Sequence, residues 1–233
     1  MNALLLSAGV GERLMPLTLY RPKCLLPATS EGTMLKYWYK TLTFVGIHNI
    51  YVNIFWLKDQ IIKYRHKSID KKARIFAYEE DRLEPIEEVL WGLRNHLGDN
   101  FLVINSDTFI LKNKVDAFVT HAMTSPDYPV CIGVSMQDNV FGKSLVTVDK
   151  KVVTSFIEKP VVTIPYKGYV YAGIMMMNKS VINKDKDFMS KLIPELRCKM
   201  TAIDVGNIVD IGGSVESYLR AYENILEMER TNV

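Results

Sequence analysis

Two glycines, an arginine and a lysine follow a short apolar run near the start of the sequence. Gly9 and Gly11 can adopt positive φ values and let backbone N–H groups approach an anion closely, while Arg13 and Lys23 supply positive charge. The run before them, residues 3–6, has the length and composition of a strand buried in a parallel sheet. The pattern predicts a loop that binds phosphate groups at the end of that strand.

Two well-known glycine loops do not fit this stretch. The dinucleotide-binding fingerprint requires a third glycine three positions after the second, where this chain has Leu14. The loop of the nucleoside triphosphatases requires Gly-Lys-Ser or Gly-Lys-Thr, and residues 7–27 contain neither. Since a bare Gly-x-Gly is also common in tight turns, the glycines alone leave a turn and a phosphate site equally open.

A longer motif extends from these glycines and narrows the interpretation. It reads Gly9-x-Gly11-x-Arg13-Leu14-x-Pro16-Leu17-Thr18 and is followed by Pro22-Lys23-x-Leu25-Leu26-Pro27. This motif resembles the signature of the sugar-1-phosphate nucleotidyltransferases, including single-domain members such as the N-acetylmuramate-1-phosphate uridylyltransferases and the mannose-1-phosphate guanylyltransferases. The resemblance implies an enzyme that transfers a nucleotidyl group from an NTP to a sugar 1-phosphate, giving an NDP-sugar and pyrophosphate.

The resemblance also implies roles for individual residues. Arg13, Lys23 and Asp107 would be the catalytic residues. Nucleotide binding is implied for Leu6, Ser7, Ala8, Gly9, Gly11, Arg13, Lys23 and Leu83.

Two aspartates are candidates for a metal site. Asp107 follows the apolar run 101–104, at the predicted carboxyl end of a strand, and Asp210 begins an Asp-x-Gly motif before the last predicted helix. Taken alone, each is equally well explained as a turn or helix-cap residue. The resemblance implies that both hold Mg²⁺, which commonly binds one or two carboxylates together with substrate phosphates. The four histidines show no ligand spacing, so we expect no zinc site.

Residues in the second half match the segments with which the resembling enzymes bind the sugar phosphate. Glu158-Lys159-Pro160 resembles their Glu-Lys-Pro motif, in which the Glu holds sugar hydroxyls and the Lys holds the phosphate. By itself this tripeptide is an ordinary exposed turn. The implied sugar-phosphate-binding residues are Gly142, Glu158, Lys159, Ala172 and Gly173.

One segment departs from the family pattern. The resembling enzymes carry a small-residue turn, Leu-Gly-Thr-Ala/Gly-Gly-Ala, against which base and ribose pack, and residues 83–88 read LEPIEE instead. Leu83 matches, but bulky and acidic residues replace the glycines, so the base cannot be assigned. Two alternatives therefore stay open. One is a cytidylyltransferase acting on phosphocholine or a related phosphonate, and the other is a non-catalytic nucleotide-sugar-binding protein.

The elements that must position these residues alternate in type through the first half. Apolar patterning predicts strands at 3–6, 49–55, 73–78 and 101–104, with helices at 33–45, 57–66 and 85–97 between them. Beyond residue 112, short β-rich runs at 130–134, 145–148 and 152–157 suggest antiparallel additions, and a last helix covers 215–228.

The expected fold is accordingly α/β, with a Rossmann-like mixed, mostly parallel sheet flanked by helices, as in the nucleotide-diphospho-sugar transferase fold. We expect one domain over residues 1–233, with a nucleotide-binding half at 1–111 and a sugar-phosphate-binding half at 112–233. No C-terminal β-helix is expected after the last helix.

Composition limits the class of partner. The chain has 233 residues, 48% of them hydrophobic, and a net charge of only +3, which is too mild to indicate nucleic-acid binding. Three widely spaced cysteines suit neither a disulfide framework nor a metal site. With no membrane-spanning run in the sequence, we expect a cytoplasmic enzyme whose partners are an NTP and a sugar 1-phosphate, and homo-oligomerisation stays open.

Overall fold

Strands and helices alternate along most of the chain. The structure is a computed structural model that describes residues 1–67, 74–124, 127–164 and 166–231. Its strands are β1 (Asn2–Leu6), β2 (Pro27–Thr29), β3 (Gly32–Thr33), β4 (Asn49–Ile54), β5 (Arg74–Glu79), β6 (Asn100–Asn105), β7 (Thr108–Ile110), β8 (Val130–Gln137), β9 (Leu145–Asp149), β10 (Val152–Ile157), β11 (Gly168–Asn178), β12 (Met200–Asp204) and β13 (Ile208–Asp210).

Its α-helices are α1 (Leu17–Tyr20), α2 (Met34–Phe44), α3 (Lys58–Lys67), α4 (Ile86–Leu93), α5 (Lys112–Met123), α6 (Ile193–Glu195) and α7 (Val215–Thr231). None of the helices in the described ranges is long and apolar enough to cross a membrane.

The chain folds into two compact units that interleave along the sequence. The first unit comprises Met1–Leu83, Ile104–Lys112 and Val209–Val233, and the second comprises Glu84–Val103 and Asn113–Ile208. The expected division into ligand-binding halves at residue 111 stays a prediction.

Parallel strands form the sheet of the first unit, as the sequence predicts. β4 pairs in parallel with β1 on one side and with β5 on the other. Ala3, Leu4 and Leu5 of β1 are fully buried, which explains why this strand is a continuous apolar run and does not alternate. The predicted third strand began at residue 73, which lies outside the described residues.

Helix α2 of the first unit is held by contacts at its N-terminus and within its first half. The Thr33 side chain accepts a hydrogen bond from Lys36 N at 3.2 Å and so caps the helix. The Tyr37 hydroxyl donates to Ile110 O at 2.6 Å, and Trp38 Nε1 donates to Thr108 O at 3.1 Å. Since both acceptors belong to β7, α2 fixes the strand that directly follows Asp107.

The second unit contains mostly antiparallel strands, again as predicted, with one exception. β10 pairs with β9, and β11 with β8, in antiparallel fashion, whereas β12 runs parallel to β8. Helix α5 was not predicted, although its buried residues Val115, Phe118, Val119 and Ala122 have helical spacing. Helix α4 also differs slightly, because Pro85 is its N-cap and the helix ends before the buried Leu97.

Candidate active site

The glycine loop follows β1, and its two glycines play different structural roles. Gly11 adopts φ 74° and ψ 36°, in the left-handed region, and a Cβ there would lie 2.9 Å from Thr18 Cγ2. The Thr18 hydroxyl donates to Gly11 O at 2.8 Å, which fixes this turn. Gly9 does not have a positive φ, and a Cβ on it would meet no atom within 4 Å. Gly11 is therefore required by the turn, while Gly9 leaves open space above the loop.

The residues next to the two cations of the loop are buried, whereas Arg13 is exposed and Lys23 is half-buried. Arg13 is exposed in a short 3-10 helix that Leu14 anchors by full burial. Lys23 begins a second 3-10 turn, in which Cys24 and Leu25 are buried. Of the other residues implied in nucleotide binding, Leu6 is half-buried, Ser7 and Ala8 are buried, and Leu83 is exposed.

Lys23, Asp107 and Asp210 meet at Gly212. The Lys23 ammonium donates to Asp107 Oδ2, and Asp210 Oδ1 accepts from the N–H of Gly212 at 2.5 Å. A Cβ built on Gly212 would lie 2.9 Å from a carboxylate oxygen of each aspartate and 3.2 Å from Lys23 Nζ. The predicted metal ligands and the predicted catalytic lysine thus surround one small space, which a side chain at position 212 would fill. No signal in the sequence singled out this glycine beyond its place in the Asp-x-Gly motif.

The electrostatics of Asp210 are consistent with a cation site. Although the residue retains solvent exposure, partial burial of its carboxyl group raises its pKa, and the neighbouring Asp107 carboxylate acts in the same direction. The Gly212 N–H, Lys23 and Arg13 oppose this effect and lower the pKa. Two carboxylates held this close repel each other, and a bound cation would relieve that repulsion.

The donor set fits Mg²⁺ and does not fit zinc. Asp107 and Asp210 supply hard oxygen ligands, as Mg²⁺ prefers, and leave most coordination positions to water and phosphate oxygens. Within the described ranges no group of three or more His, Cys, Asp and Glu side chains is arranged to hold a metal ion. An ion at this pair would therefore depend on a bound phosphate ligand for much of its coordination.

The predicted sugar-phosphate residues lie in the second unit, and three of them lie at the same end of the paired strands β9 and β10. Gly142 precedes β9, and Glu158 and Lys159 follow β10; the register pair Ile157 and Leu145 joins these two strands. Gly142 is exposed with φ 67°, Glu158 is half-buried, and Lys159 is exposed. Ala172 and Gly173 are instead buried within β11, where the register with β8 shifts.

The segment that departs from the family pattern has structural partners of its own. Pro85 occupies the N-cap position of α4, and the carboxylate of Glu87 accepts a hydrogen bond from Phe188 N at 3.3 Å within the second unit. Phe188 is fully buried, so this contact ties α4 to the core of that unit. The acidic residue at position 87 therefore has a role in folding that does not involve a ligand.

Comparison with known proteins identifies the family and supports the fold. The family model described as "Nucleotidyl transferase" matches residues 2–227, so the chain belongs to the nucleotidyl transferase family, as the signature motif suggested. The chain is 28% identical over 228 residues to the bifunctional protein GlmU of Methanococcus maripaludis, a match that covers 96% of this chain and 51% of the relative. It is also 28% identical over 199 residues to mannose-1-phosphate guanylyltransferase 1 of Arabidopsis thaliana, covering 79% of this chain and 52% of that protein.

A solved structure shows the same fold. The crystal structure of HddC from Yersinia pseudotuberculosis complexed with GMP-PN has a TM-score of 0.76 to this chain at 20% identity, and the match covers 96% of this chain and 98% of HddC. The expected α/β fold is therefore confirmed. The chain spans about half the length of both curated relatives named above.

Proposed function

We propose that this chain transfers a nucleotidyl group from an NTP to a sugar 1-phosphate. An oxygen of the acceptor phosphate attacks the α-phosphorus of the NTP, the bond from that phosphorus to the bridging oxygen breaks, and pyrophosphate leaves. The observation that carries the proposal is the meeting of Lys23, Asp107 and Asp210 beside Gly212. Membership of the nucleotidyl transferase family supports the reaction class.

The proposed reaction requires alignment and charge neutralisation more than proton transfer. The acceptor phosphate is already anionic near neutral pH, so no general base is needed. Arg13 and Lys23 would neutralise the triphosphate, and open space above Gly9 would let it approach the loop backbone. Asp107 and Asp210 would hold Mg²⁺, which supplies further positive charge to phosphate oxygens when bound.

The acceptor would be held by residues of the second unit. Glu158 would bind sugar hydroxyls and Lys159 would bind the phosphate, while Gly142, Ala172 and Gly173 would contact the sugar through the backbone. Nucleotide contacts would come from Leu6, Ser7, Ala8, Gly9, Gly11 and Leu83. The base and the sugar stay open in this proposal, because residues 83–88 differ from the turn that contacts the base in the resembling enzymes.

A substrate screen tests the proposal directly. All common NTPs are combined with a panel of sugar 1-phosphates, phosphocholine and aminoethylphosphonate, and pyrophosphate release is measured with and without Mg²⁺. We expect turnover with at least one sugar 1-phosphate. Turnover confined to phosphocholine or the phosphonate, or nucleotide binding by calorimetry without turnover on any pair, would contradict it.

Two variants and a control then link the activity to the site. Lys23→Ala and Asp107→Ala should each lower turnover on the best pair by about 10²-fold or more, because each removes a positioned charge. Lys40→Ala is the matched control, since Lys40 forms an exposed ion pair with Glu31 that lies outside the proposed machinery. If both site variants released pyrophosphate at a near-normal rate, the assignment of Lys23 and Asp107 as catalytic residues would be wrong.

A further inference from the structure

Four buried polar side chains lie at the carboxyl ends of neighbouring strands in the first unit. Ser7 follows β1, Asn53 lies near the end of β4, Glu80 follows β5, and Ser106 follows β6. Their exposed fractions are 8%, 5%, 1% and 2%, so none of the four can have been selected for contact with bulk water. Burial of polar groups costs free energy unless they are hydrogen-bonded.

These residues form one continuous hydrogen-bonded chain. The Ser7 N–H donates to Asn53 Oδ1 at 2.7 Å, and Asn53 Nδ2 donates to Glu80 Oε1 at 2.7 Å. In the other direction, the Ser7 hydroxyl donates to Ser106 Oγ at 2.9 Å, and the Ser106 hydroxyl donates to Leu6 O at 2.7 Å. Ser7 is the centre of the chain because both its backbone and its side chain take part.

The Ser7 contact to Asn53 begins where the strand ladder ends. The last register pair of β1 and β4 is Leu6 with Asn53, and the next N–H, that of Ser7, is bound by a side chain. An unsatisfied buried N–H would cost about 1–3 kcal/mol, so this contact holds the backbone at the point where it leaves the sheet. That point is the start of the glycine loop.

The hydrogen-bonded residues also lie next to the neighbours of Lys23 and Asp107, the ion pair of the candidate site. Ser106 directly precedes Asp107 in the sequence. The Ser7 side chain also lies beside the thiol of Cys24, which directly follows Lys23. The Ser106 hydroxyl accepts from Ser7 and donates to Leu6 O, so it ties the residue before Asp107 to the end of β1.

We propose that Glu80, Asn53, Ser7 and Ser106 form a positioning network for the candidate active site. The network sets the start of the glycine loop at a fixed separation from Asp107, so that phosphate-binding N–H groups and the carboxylate act on the same ligand. The inference rests on the proposed function. A displacement of about 1 Å at a reacting centre can cost about 10²-fold in rate, which is the scale on which such a network matters.

Exchanging the side-chain groups of Asn53 and Glu80 tests the part of the network that links these two residues to Ser7. Asn53→Leu has a similar size but makes no hydrogen bond, and it should lower kcat by about 10-fold to 10²-fold. The double variant Asn53→Asp with Glu80→Gln keeps an acceptor for Ser7 N–H and reverses the polarity of the second bond, so it should recover most of that loss. Glu80→Gln alone measures the effect of replacing the carboxyl group while Asn53 is unchanged. A double variant no better than Asn53→Leu would overturn the proposal.

A double-mutant cycle tests the part of the network that links Ser7 to Ser106. Ser7→Ala and Ser106→Gly should each lower kcat and raise the Mg²⁺ concentration needed for half-maximal turnover, and the double variant should lose no more than the worse single variant. Additive losses would show that the two hydroxyls act independently. Thermal unfolding is measured in parallel, because variants that lower Tm but leave kcat and the Mg²⁺ dependence unchanged would reduce the network to a purely structural role.

Amide exchange separates failure of the network from failure of the proposed function. In Asn53→Leu, hydrogen–deuterium exchange at residues 7–11 should accelerate about tenfold or more, and it should slow again in the exchanged double variant. This measurement requires no turnover. If the wild-type chain turns over no substrate pair, the proposed function fails while exchange still reports on the network, and unchanged exchange at these residues would overturn the network itself.

Discussion

The ammonium of Lys23 donates a hydrogen bond to Asp107 Oδ2 and joins two segments separated by more than eighty residues of sequence. Both side chains are mostly shielded from solvent, at 19% and 22% exposure. Besides its bond to Asp107, Lys23 lowers the pKa of Asp210, whereas the Asp107 carboxylate raises it. The two aspartates therefore share the positive charge of Lys23. Lys23 and Arg13 thus both offset the charge of the aspartate pair, and a bound cation would further relieve the repulsion between the two carboxylates.

Replacing Asp210 with asparagine should raise the stability of the protein while lowering its activity. Asn at this position can still accept from the Gly212 N–H, but it removes the repulsion with Asp107. Because the folded-state pKa of Asp210 is raised, ionisation of the group disfavours the folded state as the pH rises above the usual aspartate range. We therefore expect Asp210→Asn to have a higher Tm than wild type in EDTA near neutral pH, with the difference shrinking in acid. Turnover should fall by about 10²-fold or more.

Differential scanning fluorimetry in EDTA across the acid and neutral range measures this effect. Glu216→Gln is a suitable control, since this exposed carboxylate pairs with Arg220 on α7 and lies apart from the cluster. An Asp210→Asn protein with unchanged turnover and unchanged magnesium dependence would leave the residue with a turn-forming role only.

The two loop glycines should respond differently to alanine. Gly11→Ala forces a left-handed φ on a residue with a side chain and places its Cβ against Thr18, so it should destabilise the fold by about 1–2 kcal/mol or more. Gly9→Ala meets no protein atom and no positive φ, so the free energy of unfolding should stay near the wild-type value. If the triphosphate approaches the loop as proposed, Gly9→Ala should still weaken NTP binding by about tenfold.

Chemical denaturation and calorimetry with NTP measure the two quantities on the same samples. Full NTP affinity in Gly9→Ala would place the triphosphate elsewhere. Full stability in Gly11→Ala would contradict the assigned backbone conformation.

Lys159 combines a proposed function with a strained backbone. Its φ of 38° lies in the left-handed region, which costs a non-glycine residue free energy of the order of 1 kcal/mol or more. Lys159→Gly removes both the strain and the charge, whereas Lys159→Met removes only the charge. Both variants should raise the KM for the acceptor by about tenfold while the KM for the NTP changes little. Lys159→Gly should be the more stable of the two in urea denaturation, and the reverse order would show that the strain is absent.

The three cysteines should differ in reactivity. Burial raises the pKa of Cys24 to about 12 and that of Cys131 to about 11, whereas Cys198 is exposed. Because the thiolate is the reactive form, a thiol reagent at about pH 8 should modify Cys198 rapidly and the buried pair only after denaturation. Cys198→Ser should abolish the fast phase in a spectrophotometric thiol titration. Rapid modification of a second or third thiol in the native protein would show that the 3-10 turn at Cys24, strand β8 at Cys131, or both open readily.

The parallel strands of the first unit could be predicted because strands buried on both faces have a recognisable sequence pattern. A strand covered on both faces must be apolar throughout, and β1 is such a run. Helix α5 left a comparable trace in the spacing of Val115, Phe118, Val119 and Ala122, and it was missed because the neighbouring β-rich runs suggested a change of class. The parallel pairing of β12 with β8 could not be foreseen, since local patterning carries no information on which distant strand is the neighbour.

The candidate site was predictable in its charged members and unpredictable in its supporting contacts. Lys23, Asp107 and Asp210 each occupied a recognisable motif, and the fold brings these three together. The links from Ser7 to Asn53 and Ser106 depend on which strand ends are adjacent, so no local pattern could have indicated them. Gly212 was a further omission, because its importance comes from the two carboxylates beside it and not from its own conformation.

The first unit is assembled from three separate stretches of the chain, and this has a consequence for synthesis on the ribosome. Helix α7 packs on β2, where the Tyr218 hydroxyl donates to Pro27 O at 2.5 Å across a sequence separation of 191 residues. At about 5–20 residues per second, the earliest strands wait for many seconds until these partners emerge. During that interval the early strands of this unit lack the packing partners that the last stretch supplies. Asp210 lies in the same late stretch, so the nascent chain acquires its carboxylate pair only after this stretch has been synthesised.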